Sequence, residues 1–120
     1  MAGTFTNLLY HLVFSTKDRV PLISEKLQQD LYEYIGGIIR GEDGVLLEIG
    51  GMSDHVHLLT KFKPVKSVSE MLNRIKAKSS KWANEKKLIE QNFAWQAGYA
   101  VFSVSESQVA PVRLYLQGQE

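Results

Sequence analysis

Cysteine is missing from this 120-residue chain. No disulfide framework and no thiolate nucleophile or ligand can be built, and the composition suits a reducing cytoplasm. Long apolar runs are missing too: none approaches the ~20 residues that a membrane span needs. The first residues carry no basic-then-apolar leader, so neither export nor a membrane partner is expected. Proline occurs three times, and there is no repeat or low-complexity tract. One domain over residues 1–120 is the natural reading, since 44% hydrophobic residues suffice for a modest core.

Net charge is also close to absent, at +1, but it is unevenly spread. Between Lys61 and Lys87 nine basic residues face two acids, Glu70 and Glu85, a local charge of +7. The remainder holds five bases and eleven acids, or −6. Such segregation points to an anionic partner, nucleic acid first among candidates, with a merely solvated lysine-rich helix face as the alternative. Arg74, Lys76, Lys78 and Lys81 are the expected DNA-binding residues of this segment.

Of the three histidines in the chain, two stand in His55-Val56-His57, followed by Leu58 and Leu59. In a strand, residues i and i+2 share a face, so both imidazoles project together while Val56 and Leu58 point the other way. Two nitrogen ligands on a rigid platform suit a metal, with room for substrate oxygens around it. The plainer reading is a pair of partly exposed strand residues with no ligand.

Thr4 to Ser15 reads as a strand apolar on both faces (Leu8, Tyr10, Leu12 and Phe14; Leu9 and Val13), hence central in its sheet. His11 within it could join the site of the other histidines, but the preferred reading is a structural, hydrogen-bonded residue. Ser24 caps a helix with apolar positions Leu27, Leu31, Tyr34, Ile35, Ile38 and Ile39, which Gly41 ends. Val45 to Ile49 and His55 to Phe62 form a hairpin around a turn containing Gly50 and Gly51. Ser67-x-x-Glu70 is a capping box that opens a second helix with the stripe Val68, Met71, Leu72, Ile75 and Trp82. Gly98 to Val104 is a last strand, and the segment from Ser105 looks helical. The expected fold is therefore α+β, a ferredoxin-like split βαβ (βαββαβ) antiparallel sheet with a C-terminal helix. Both main helices should cover one face of the sheet, leaving His55 and His57 on an open one.

On that last helix Tyr115 and Gln119 lie four residues apart, one above the other. Pro111 is tolerated only in a first turn, so this helix must start near Pro111 or bend there. A tyrosine can serve as a covalent nucleophile and a glutamine carbonyl as a neutral oxygen ligand. Taken alone, Tyr115 reads as a packing residue.

His55-Val56-His57-Leu58-Leu59 resembles the His-hydrophobic-His motif of single-strand DNA endonucleases. Tyr10-His11-Leu12-Val13-Phe14-Ser15-Thr16-Lys17, Ser79-Ser80-Lys81-Trp82, Trp95-Gln96-Ala97-Gly98-Tyr99, Phe102-Ser103-Val104-Ser105 and Tyr115-x-x-x-Gln119 resemble successive blocks of one branch. That branch is the single-tyrosine transposases of the insertion-sequence two-hundred/six-hundred-five group and their repeat-associated relatives. The resemblance implies an enzyme that binds single-stranded DNA hairpins at transposon ends and cuts through a 5′-phosphotyrosine. It implies Tyr115 as nucleophile, with His55, His57 and Gln119 holding Mg²⁺ or Mn²⁺. It implies a homodimer whose tyrosine helix can complete the partner's His pair. Relatives commonly continue beyond the position of Gln119, which makes it the least secure ligand. A domesticated or inactive relative that binds structured single strands without cutting is the rival reading. Histidine-triad nucleotide hydrolases fit less well, because their third His would fall at Leu59.

Overall fold

The computed structural model describes residues 9–62, 67–87 and 89–118. Four strands, β1 (Leu9–Ser15), β2 (Val45–Met52), β3 (His55–Lys61) and β4 (Ala100–Val104), form one antiparallel sheet in the order β2-β3-β1-β4. Helices α1 (Glu25–Gly41) and α2 (Val68–Lys86) cross one face, and α3 (Val109–Gln117) follows the last strand. This is the expected split βαβ order, with β1 central. Leu8 and the start of the expected first strand lie outside the described residues.

Local chemistry starts each helix. The Ser24 hydroxyl accepts the Leu27 N–H at the head of α1. The Ser67–Glu70 capping box is complete at the head of α2, satisfying two of the amides that a helix start leaves unpaired. Leu27, Leu31, Ile35 and Ile39 from α1 meet Met71, Leu72 and Ile75 from α2 above Leu12, Phe14, Val56, Leu58 and Phe62 of the sheet side. Tyr34 and Trp82 stack across the two helices at 4.8 Å. Among the described residues no helix is long and apolar enough to cross a membrane.

Two expectations need correction. The opposite sheet face is not left open: α3 covers part of it. Val109, Val112 and Leu116, spaced as one helical stripe, pack with Leu9, Leu47, Leu59 and Val104 into a second small core. The glycine pair is also not the hairpin turn. β2 runs on to Met52, Gly50 pairs with His57 and Gly51 with Val56, and Ser53-Asp54 makes the turn. The physical reason is crowding. A Cβ at Gly50 would stand 2.3 Å from the Leu116 carbonyl oxygen, and one at Gly51 2.2 Å from that of His55.

A register shift between Leu46 and Glu48 inserts one extra residue into β2. Such a bulge re-aims side chains. Leu46 and Ile49 pack toward α1 and α2, whereas Leu47 joins the second core and the Glu48 carboxylate reaches α3, accepting from Arg113 Nε at 3.1 Å and Gln117 Nε2 at 3.3 Å. The bulge and Gly50 together let α3 lie close against the sheet.

Candidate active site

His55 and His57 leave β3 on the face that α3 partly covers, with ring centroids 5.0 Å apart. Val13 lies opposite His57 on β1 and Gly50 opposite it on β2. Because Gly50 has no side chain, the backbone at Leu116 can settle above that position. This brings the Tyr115 ring edge-on to His57, with centroids 5.8 Å apart and planes at 83°. Leu116 is fully buried, while Tyr115 remains 55% exposed. The buried neighbour anchors the helix and leaves the phenol accessible.

Each imidazole has its Nδ1 engaged. His55 Nδ1 donates to Asp54 Oδ1 at 2.8 Å, and Asp54 Oδ2 accepts from Arg19 Nε at 3.0 Å. The Asp54 carbonyl takes the Thr16 N–H at 2.9 Å, and buried Thr16 also reaches it through its hydroxyl. The chain presents Arg19 through two successive left-handed residues, Asp18 (φ 56°) and Arg19 (φ 57°). Such backbone costs on the order of 1 kcal/mol or more per residue. The Gln96 side chain helps hold it by accepting the Asp18 N–H at 2.8 Å. His57 Nδ1 lies 2.8 Å from His11 Nε2, and Phe102 packs on the far side of the His11 ring at 5.6 Å.

Electrostatics favour the neutral forms of His57 and His11. Burial, and after it the proximity of His11 and His55, push His57 down to about 4, so it is neutral near pH 7. Burial lowers His11 too. The hydrogen bond from His55, and then Arg19, hold Asp54 below the usual carboxylate range against the opposing effect of burial.

The donor set fits a divalent cation in part. Two imidazoles on one strand face, each with Nδ1 hydrogen-bonded, carry the outer support that metal-bound histidines usually have. Among the described residues no group of three or more His, Cys, Asp or Glu gathers for a metal. Gln119, the third ligand that the family resemblance implies, lies outside the described residues.

The structure thus brings together His55, His57 and Tyr115. Arg74, Lys76, Lys78 and Lys81 of α2 sit elsewhere, with the sheet between them and the imidazoles. Arg74 and Lys78 pair with Glu42 at 3.3 and 3.8 Å, and Lys81 is exposed. Lys76 is turned away from them, its ammonium donating to the carbonyls of Gln96 at 2.7 Å and Gly98 at 3.0 Å. Sequence reasoning raised His11 as a possible member of the site but preferred a structural role for it, and gave no role to Asp54 or Arg19. Strand parity could have flagged His11, which shares a β1 face with Val13, directly across from His57.

A ferredoxin-like sheet bearing a His-hydrophobic-His pair opposite a helix-borne tyrosine places the chain in the class of single-tyrosine transposases. It belongs to the family described as "Transposase IS200 like", whose model matches residues 4–119. Curated relatives include the ISDra2 transposase TnpA of Deinococcus radiodurans, 24% identical over 98% of this chain and 87% of that protein. Another is the transposase for insertion sequence element IS200 of Salmonella typhimurium, 27% identical over 99% and 81%. A crystal structure of a transposase-assigned protein from Deinococcus radiodurans R1 superimposes with a TM-score of 0.73, covering 93% of this chain and 90% of that one at 24% identity. A REP-associated tyrosine transposase bound to a REP hairpin gives 0.65 over 92% and 64% at 15% identity. These two structures share the fold.

Proposed function

We propose that this chain cuts and rejoins single-stranded DNA at hairpin-bearing element ends, with Tyr115 as the nucleophile. The observation that carries the reading is the Tyr115 ring standing edge-on to His57 across the seam between α3 and β3. The Tyr115 phenol oxygen bonds to phosphorus, the bond to the 3′-oxygen breaks, and the phenol proton is balanced by the one gained on the freed 3′-hydroxyl. The 5′-phosphotyrosyl bond retains the phosphodiester energy for rejoining. His55, His57 and Gln119 are the proposed holders of Mg²⁺ or Mn²⁺. Bound there, the cation supplies charge neutralisation at the scissile phosphate. His57, neutral near pH 7, offers an imidazole lone pair with little proton competition.

The proposed partner is a single-stranded hairpin, supported by the REP-associated relative that was solved on one. Arg74, Lys78 and Lys81 are the proposed phosphate contacts on α2, with Lys76 bracing the 96–98 segment from the same helix. A homodimer is proposed from the family resemblance. Because α3 packs on its own sheet here, an exchange of tyrosine helices between subunits would require it to undock. The test is incubation with element-end hairpin DNA, with and without Mn²⁺ and a chelator, followed by denaturing electrophoresis. A metal-dependent covalent protein–DNA band is expected. Hairpin binding with no such band under any metal would replace this reading with binding alone.

A further inference from the structure

We propose that His11 is a positioning residue: its Nε2 accepts the Nδ1–H of His57 and thereby reserves His57 Nε2, as a lone pair, for the cation. The inference rests on the metal site proposed above. A neutral imidazole carries one N–H, and a hydrogen bond at one nitrogen decides which. The 2.8 Å contact between His11 Nε2 and His57 Nδ1 admits two arrangements. If His57 donates, its Nε2 is bare and can ligate. If His11 donates, the remaining His57 proton sits on Nε2 and the ligand is lost.

The surroundings favour the first arrangement. His55 already shows the same pattern, its Nδ1 proton given to Asp54, so both imidazoles would be held in one tautomer by partners behind them. His11 is well placed for such a duty. It stands on the central strand β1, laddered to Leu59 of β3 and Phe102 of β4. Its ring lies at 29° to His57 with centroids 5.1 Å apart, and Phe102 backs it. An acceptor on the central strand, flanked by the His57 and Phe102 rings, is restricted in its movement, as fixing a neighbour's tautomer demands.

The test reads the tautomer directly, without DNA or metal. Long-range ¹H–¹⁵N correlation of the wild type at about pH 8, above the ordinary histidine range, is expected to show His57 protonated on Nδ1. His11→Leu, which keeps the apolar packing but removes the acceptor, is expected to shift His57 toward Nε2–H and to weaken Mn²⁺ binding about 10–100-fold by electron paramagnetic titration. His11→Gln, whose amide oxygen can accept, is expected to restore the Nδ1–H form and most of the affinity. A wild-type His57 protonated on Nε2 overturns the proposal even if no variant folds. So does a His11→Leu protein that binds Mn²⁺ as wild type does. Failure of the wild type to bind Mn²⁺ at all overturns the metal reading itself, and this inference with it.

Discussion

Replacing Gly50 by alanine should silence the site without touching a functional group. The added Cβ would stand 2.3 Å from the Leu116 carbonyl oxygen and 3.1 Å from its carbonyl carbon. Ordinary non-bonded contact begins near 3.5 Å. Both offending atoms are backbone, so no side chain can rotate away, and α3 must rise by about 1 Å. A misplacement of about 1 Å in a reacting group can cost ~100-fold in rate. Tyr115 sits beside Leu116 and inherits the whole displacement. Lifting fully buried Leu116 off Leu9, Leu59 and Val104 forfeits at most about 2–3 kcal/mol of burial. The fold therefore survives with a modestly lowered Tm. Covalent adduct formation with hairpin DNA should fall about 100-fold, while Mn²⁺ affinity at His55 and His57 stays within twofold of wild type. Hydrogen exchange should speed up at the α3 amides and be unchanged in α1. Wild-type adduct formation by Gly50→Ala would refute the reasoning, because the cleaving state would then not hold α3 where this structure packs it.

Metal-free protein should lose stability on acidification between about pH 6.5 and 4, as His57 must remain neutral when folded but takes a proton freely when unfolded. The unfolded state binds more protons throughout that window, so stability rises with pH, by at most about 3 kcal/mol. His11, which faces His57, adds in the same direction, whereas Asp54 acts only below the window; a flat profile in urea titrations would contradict this, and His57→Gln should flatten it. Replacing Arg74, Lys78 and Lys81 together by alanine should weaken hairpin binding and make it less salt-dependent, by about 0.7–0.9 in log–log slope per lost contact. An unchanged slope places the phosphates elsewhere, and the Glu42 pairs of Arg74 and Lys78 would then be the role of those two residues. Light scattering at micromolar concentration should give a dimer mass, and a monomer at every concentration would leave each chain to cut with its own Tyr115 and His57.

Much of the fold was legible because single elements obey local rules. Leu27, Leu31 and Ile35 repeat at helical spacing, Ser67 and Glu70 write a capping box, and period two sends Val56, Leu58 and Phe62 away from the imidazoles. The unread features depend on distant contacts. Gly50 and Gly51 look like a turn when judged by neighbours in sequence. They belong to a strand because the Leu116 backbone needs the space. The bulge beside Leu47 leaves no local mark, and without it the contact of Glu48 with Arg113 cannot be foreseen. His11 was visible as a histidine on a central strand. Its contact with His57 needed the β1–β3 register. Lys76 looked equivalent to Arg74 and Lys78 by charge, and only the 96–98 segment lying beneath it separates them.

The central claim is that Tyr115 attacks the phosphodiester. It is tested most directly by digesting the covalent protein–DNA adduct and locating the nucleotide-bearing residue by mass spectrometry, alongside Tyr115→Phe. The account predicts a phosphotyrosyl nucleotide on the peptide containing Tyr115, and no adduct from Tyr115→Phe although it still binds the hairpin. A nucleotide on Tyr99 or Tyr10, or an adduct that persists in Tyr115→Phe, would contradict it.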